Sequence, residues 1–190
     1  MSGCHCKYRI AAYLFALTFA QTSVAGDVIK AKVDHKEDHY LLHLDMRIQG
    51  KSADVYAVLV DYNHLHRINA SIISSKELDS KANVHRVRIV VRGCVWVFCR
   101  TIKQVQNITE LSDGYIMFVT EPTTSDLRYG RGLWQLIDEG STTRIKYNAD
   151  FVPAFWVPPI IGPIFFKRTL LEEGQKTVNG IERLIKQRQH

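Results

Sequence analysis

From Tyr40 to Phe151 apolar and polar residues alternate in one short run after another. Residues two apart share one face of a strand, so such runs predict strands with one dry side and one wet side. Tyr40, Leu42, Leu44, Met46 and Ile48 form one dry face, opposite His43, Asp45, Arg47 and Gln49. Further strands are expected over Ile72–Leu78, around Val87–Val91, and over Thr101–Ile108 and Tyr115–Thr120. A hairpin is expected from Arg131–Ile137 and Arg144–Phe151, turning at Asp138-Glu139-Gly140-Ser141. Gly50-Lys51-Ser52 ends the first run, and Ser52 suits the N-cap of a helix through Val55, Tyr56, Leu59 and Val60. Asp61-Tyr62-Asn63 breaks that helix, and a second helical turn follows over His64–Ile68.

The chain changes character after Phe151. The block P-A-F-W-V-P-P-I-I-G-P holds four prolines (Pro153, Pro158, Pro159 and Pro163) among large apolar side chains. Proline continues neither a central strand nor a helix interior. Pro163 suits a first helical turn, and no proline follows it, so one long helix is expected from there almost to His190. Its inner face reads Phe166, Leu170, Thr177 or Val178, Ile181, Leu184 and Ile185. Strands in series closed by one long helix predict an α+β architecture with helices on one face of an antiparallel sheet.

The first 25 residues have the order of an export signal. Lys7 and Arg9 precede the apolar run Ile10–Ala20, and Ser23-Val24-Ala25 supplies small residues for cleavage. The run is shorter than the about 20 residues that span a bilayer. The expected organisation is a signal peptide over 1–25 and one domain over 26–190, located outside the cytoplasm: periplasmic in a bacterium, secreted otherwise. Cys4 and Cys6 leave with the signal, and the remaining pair, Cys94 and Cys99, is a disulfide candidate in an oxidising compartment. One straight strand would hold them about 16 Å apart. Pairing Val84–Val91 with Ile102–Thr109 centres a hairpin between Trp96 and Val97 and brings them face to face. The competing turn at Arg92-Gly93 would keep them apart.

The chain has 25 Lys and Arg against 19 Asp and Glu. No basic cluster stands out, so nucleic acid is not an expected partner. Transient contact with an anionic membrane surface fits the mild excess. His35, His39 and His43 recur at spacing four. On a strand that spacing is about 13 Å, too wide for one zinc ion. No metalloprotease, nucleophile-elbow, phosphate-loop or dinucleotide pattern occurs. No metal, cofactor or catalytic residue is therefore assigned. Asn69-Ala70-Ser71 and Asn107-Ile108-Thr109 match the N-glycosylation pattern, which matters only in a eukaryotic source.

Three segments in order resemble the START-like superfamily, also called SRPBCC or helix-grip. They are S-A-D-V-Y-A-V-L-V-D-Y-N-H-L-H-R-I-N (52–69), then G-L-W-Q-L with T-R-I-K-Y-N-A-D-F (132–151), then the closing helix. The nearest resemblance is to the polyketide-cyclase/dehydrase and coenzyme-Q-binding START-like family. It implies a curved antiparallel sheet wrapped on the C-terminal helix, with two short helices after the first strand. It also implies a hydrophobic ligand, a lipid or isoprenoid, held between sheet and helix by a monomer. The expected wall is Phe118, Trp134, Tyr147, Phe151, Phe166 and Leu170. Phe155, Trp156, Ile160 and Ile161 are expected to gate the cavity or touch a membrane. The alternatives are an enzyme of the cyclase/dehydrase type, moving a proton with Tyr147 or an aspartate, and an envelope interaction module that uses its apolar lip.

Overall fold

The computed structural model describes residues 25–95, 98–157 and 163–189. The segment 1–24, Trp96, and the gate candidates Ile160 and Ile161 lie outside these residues. The strands are β1 (Asp27–Lys36), β2 (His39–Gln49), β3 (Ile72–Lys81), β4 (Val84–Val95), β5 (Phe98–Glu110), β6 (Tyr115–Thr120), β7 (Leu127–Asp138) and β8 (Thr142–Pro153). The helices are α1 (Ser52–Leu59) and α2 (Pro163–Arg188), with short 3-10 turns at Leu65–Arg67 and Pro122–Thr124. Among the described residues the eight strands form one antiparallel sheet in the order β1-β2-β8-β7-β6-β5-β4-β3. This is the curved helix-grip arrangement, with α2 laid across the concave face.

Two details differ from the sequence reading. A strand precedes Tyr40: β1 pairs with β2 from Asp27↔Arg47 to Lys36↔His39, so the short helices follow the second strand. Its side chains in the buried core are only Ala31 and Val33, too few to give a clear alternation. Ser52 is the first helical residue of α1 and not its cap. Lys51 takes the extended capping position, and its carbonyl accepts from the amides of Asp54 and Val55 at 3.0 and 3.1 Å.

The core lies where α2 closes one end of the sheet. Met46 and Ile48 of β2, Ile145 of β8, Val55 of α1, and Val178 and Ile181 of α2 are fully buried there. Each alternating strand sends its apolar face inward to this layer. Two glycines set how close α2 comes. A Cβ on Gly174 would lie 3.1 Å from Leu44 and Val28, so the helix rests against β1 and β2. A Cβ on Gly180 would fall 1.7 Å from the Ile68 carbonyl oxygen. Backbone therefore meets backbone at that crossing, and no side chain fits between.

Gly180→Ala is expected to destabilise the protein by about 3 kcal/mol, at the upper end for overpacking. For a chain of this size that lowers Tm by roughly 10 °C. Gly93 has nothing within 4 Å of a Cβ, so Gly93→Ala should leave Tm nearly unchanged. Calorimetry of both variants checks this; equal effects would contradict the crossing geometry.

Candidate functional site

Because α2 leans on β1 and β2, space remains between its other flank and strands β4 to β7. An inner cavity of about 250 Å³ occupies that space. Ile89 and Val91 of β4, Ile108 of β5, Ile116 and Phe118 of β6, Trp134 of β7 and Tyr147 of β8 face it from the sheet. Leu59 of α1, Ile68 and Asn69 of the following connection, and Thr177 of α2 close the other side. The Trp134 and Tyr147 rings meet at 4.3 Å between centroids, and Phe118 stacks 6.3 Å from Tyr147.

A second pocket of about 420 Å³ lies further along the same face, toward the start of α2. Leu42, Gly93, Ile102, Phe151, Phe155, Trp156, Phe166 and Leu170 line it, together with Cys94, Cys99 and Arg100. On β4 the inward series is Ile89, Val91, Gly93; on β8 it is Tyr147, Ala149, Phe151. The two spaces are thus successive stations along one concave surface. The six expected wall residues divide between them. Phe118, Trp134 and Tyr147 line the inner cavity, whereas Phe151, Phe166 and Leu170 line the mouth, where Phe151 and Phe166 pack on Tyr40.

Of the gate candidates, Phe155 is half-buried and Trp156 is 73% exposed, the most exposed large apolar side chain among the described residues. The Arg100 guanidinium sits 4.1 Å over the Phe155 ring. Arg100 shares the inward parity of Ile102. Arg86, Arg88 and Arg92 occupy the opposite, outer face, alternating with Val87, Ile89 and Val91. Arg86 holds Glu121 through two bonds of 2.7 and 2.8 Å. That guanidinium, the largest influence, holds the Glu121 carboxyl down at about 2. The β4–β5 register places Cys94 opposite Cys99, and their sulfurs are bonded. Val95 and Phe98 also pair, so the tip beyond the disulfide is tighter than the four residues Val95–Phe98. Thr169 of α2 donates to the Cys94 carbonyl at 3.4 Å, tying hairpin to helix at the mouth.

Sequence reasoning missed the polar groups of the interior. Gln104 and Gln106 face the inner cavity from β5, and Gln106 Nε2 donates to Gln104 Oε1 at 2.9 Å. Their signal was present: they share a parity with Ile102 and Ile108. Asn69, in the first glycosylation pattern, is buried. Its Nδ2 donates to the Glu173 carboxylate at 3.0 Å and to Thr177 Oγ1 at 3.2 Å. Behind the cavity wall, Tyr56 and Tyr62 both donate to Glu110, the Tyr62 bond being 2.9 Å. His85 bridges Glu77 at 2.6 Å and Glu110 at 3.2 Å. Desolvation and the Glu110 bond push the Tyr56 hydroxyl up to about 12 and that of Tyr62 further up. The Tyr147 hydroxyl is also pushed up, by burial; it has no hydrogen-bond partner among the described residues. His39 and His43 pair with Asp150 and Asn148 on the outer face at 2.7 and 2.5 Å. No cluster of His, Cys, Asp and Glu able to hold a metal occurs among the described residues.

A family model described as polyketide cyclase/dehydrase and lipid transport matches residues 48–172. The chain belongs to this family. The matched segment carries Gln104, Gln106, Trp134 and Tyr147, and the mouth from Cys94 to Leu170. No curated protein matches the chain by sequence. Among solved structures, a Thermus thermophilus protein superposes with TM-score 0.63 at 16% identity, covering 79% of this chain and 99% of its own. An aromatase/cyclase from a Streptomyces strain gives 0.62 at 14%, covering 80% and 96%. A STAR-related lipid transfer protein from Xanthomonas axonopodis gives 0.55 at 16%, covering 82% and 98%. At these identities the likeness is one of fold. It spans nearly the whole of each relative and includes both proteins that act on a ligand and proteins that carry one.

The disulfide has a direct chemical readout. Denatured, unreduced monomer from an oxidising compartment should show no free thiol from Cys94 or Cys99 in thiol titration. Two free thiols would rule the bridge out.

Proposed function

We propose that this protein is an exported carrier. It holds a lipid or isoprenoid between sheet and α2 and exchanges it through the mouth at a membrane surface. The observation that carries this reading is the hollow, aromatic-walled interior that continues along one face to a mouth bearing exposed Trp156. Ligand sites of small molecules are mostly apolar with a few placed polar groups. A tightly filled interior would suit an interaction module better. Tryptophan favours the water–membrane interface, and Arg100 adds a positive charge at the mouth. The leader sequence supports export to the periplasm or the exterior, and the protein would act as a monomer.

One observation favours the enzymatic reading. The Tyr147 hydroxyl opens on the cavity with no hydrogen-bond partner among the described residues and is held neutral by burial. Such a group can donate a hydrogen bond to the carbonyl of a bound polyketide-like substrate and to the negative charge that develops on it. The candidate aspartates lie away from the cavity: Asp150 pairs with His39, Asp61 with His64, Asp126 accepts from the Lys103 amide and Asp138 from the Gly140 amide.

Transfer of a fluorescent lipid between liposomes separates these readings. Phe155→Ser with Trp156→Ser should slow transfer at least about tenfold and reduce liposome association. Trp134→Ala should weaken lipid binding more than it lowers stability. Undiminished transfer by the mouth variant would make 154–157 a packed connector. Turnover of an aromatic polyketide-like substrate, lost in Tyr147→Phe, would establish the enzyme instead.

A further inference from the structure

We infer that the inner cavity receives the polar end of its ligand, and that this end is neutral: a hydroxyl, ketone or amide. The inference rests on the ligand-binding reading and specifies its chemistry. Of the ionisable side chains, only Tyr62 and Tyr147 line this cavity among the described residues, and Tyr62 is committed to Glu110. A carboxylate or ammonium placed there would have no counter-charge, which is costly in an apolar enclosure. Gln104 and Gln106 nevertheless present amides to it, and Gln106 is only 7% exposed. Their mutual bond uses one donor and one acceptor. Each amide carries two donors and an acceptor with two lone pairs. Donor and acceptor capacity therefore remains facing the cavity, whichever way the amides are turned, and the Tyr147 hydroxyl faces it from β8. Asn69 has its donors committed to Glu173 and Thr177 and accepts from the Ser71 amide, so it offers no further donor. A neutral hydrogen-bonding group satisfies the glutamines without bringing in a charge.

Displacement of the uncharged dye N-phenyl-1-naphthylamine by dodecanol and by dodecanoate tests this. Gln104→Leu/Gln106→Leu keeps side-chain size and fills the same space with apolar atoms. Dodecanol affinity should fall about tenfold in that variant, the worth of roughly 1.4 kcal/mol of hydrogen bonding. Dodecanoate affinity should stay within about twofold. An unchanged dodecanol affinity, or an equal loss for dodecanoate, would overturn the inference. Failure of the dye itself to bind the wild type would overturn the carrier reading as well.

A separate observation concerns the start of the domain. Glu182 of α2 is 8% exposed, yet its carboxylate has no cation within ion-pair distance among the described residues. Its Oε1 accepts from the backbone nitrogens of Gly26 at 2.9 Å and Gln49 at 2.7 Å. A Cβ on Gly26 would lie 2.4 Å from that oxygen and from the Arg47 carbonyl, so only glycine fits. Gly26 is also the residue that cleavage after Ala25 makes first. The geometry points to a processing-dependent ion pair: cleavage turns the Gly26 amide into an ammonium already seated on buried Glu182. This would fasten β1 to α2. The surrounding charges are otherwise placed. Arg47 of β2 holds Glu139 at 3.1 Å, Arg183 donates to the Arg67 carbonyl, and Asp27 and Lys186 flank the site on β1 and α2.

The test compares protein starting at Gly26, released by a tag protease that leaves glycine first, with the same protein Nα-acetylated. Acetylation keeps an N–H but removes the charge, and it occupies the space of Ala25. The free form should melt roughly 5 °C higher at pH 7. A free α-amino group titrates at about 7.7–8.0, and a carboxylate partner raises that value. The advantage should therefore be full near neutral pH and fade as pH rises through the raised value. Glu182→Gln should abolish it. Equal melting of the two forms, or a difference that survives Glu182→Gln, would overturn the ion pair. Both results are independent of whether the native host exports the chain, which the intact mass of the native protein reports.

Discussion

The backbone contact between Gly180 of α2 and Ile68 organises this molecule. It pins the C-terminal half of the helix at the closed end, where Val178, Ile181, Leu184 and Ile185 complete the core. Gly174 seats the middle of the helix on Leu44 and Val28, to one side of the sheet. A helix fixed at one end and leaning to one side stands off β5 to β7, and it meets β4 at the hairpin end, where Thr169 reaches the Cys94 carbonyl. The sheet curves away from it over β5 to β7, and the interior stays open. The hollow is thus a consequence of two close approaches and not of missing apolar residues.

Polar groups follow from that geometry. Charges on the outer face are free to pair in water, as Arg86 with Glu121 and Arg144 with Asp45 do. Groups that face inward must be neutral or fully bonded. Asn69 and Tyr62 are bonded, and the glutamines of β5 bond each other in part. Arg100 avoids the constraint because its strand position lies at the mouth, where the guanidinium rests on Phe155 and still reaches water. The disulfide closes the β4–β5 hairpin beside it and holds that side of the mouth covalently.

Much of this was legible along the chain. Period-two alternation identified β2, β4, β7 and β8, because each has one face in the core. The Pro163 start and the apolar stripe of α2 were equally plain. The 84–91 against 102–109 pairing is the register observed. β1 was not legible, since an edge strand burying little apolar surface has almost no periodic signature. The six aromatic and aliphatic wall candidates all face the concave side, but nothing local assigned three to the cavity and three to the mouth. Gln104 and Gln106 carried the right parity. Amides on an inward face read as an exposed strand until the opposite wall is known.

The sequence by itself determined the fold class, the strand series, the closing helix and the inward parity of each strand, because these depend on periodicity and on proline. Only the tertiary structure decided where α2 touches and where it stands off. That depends on the absence of two side chains, at Gly174 and Gly180, opposite backbone distant in sequence. The same long-range fit decided which inward residues meet a cavity and which meet other side chains. It also brought Gly26 to Glu182, since contacts across 156 positions are fixed by packing and not by local pattern.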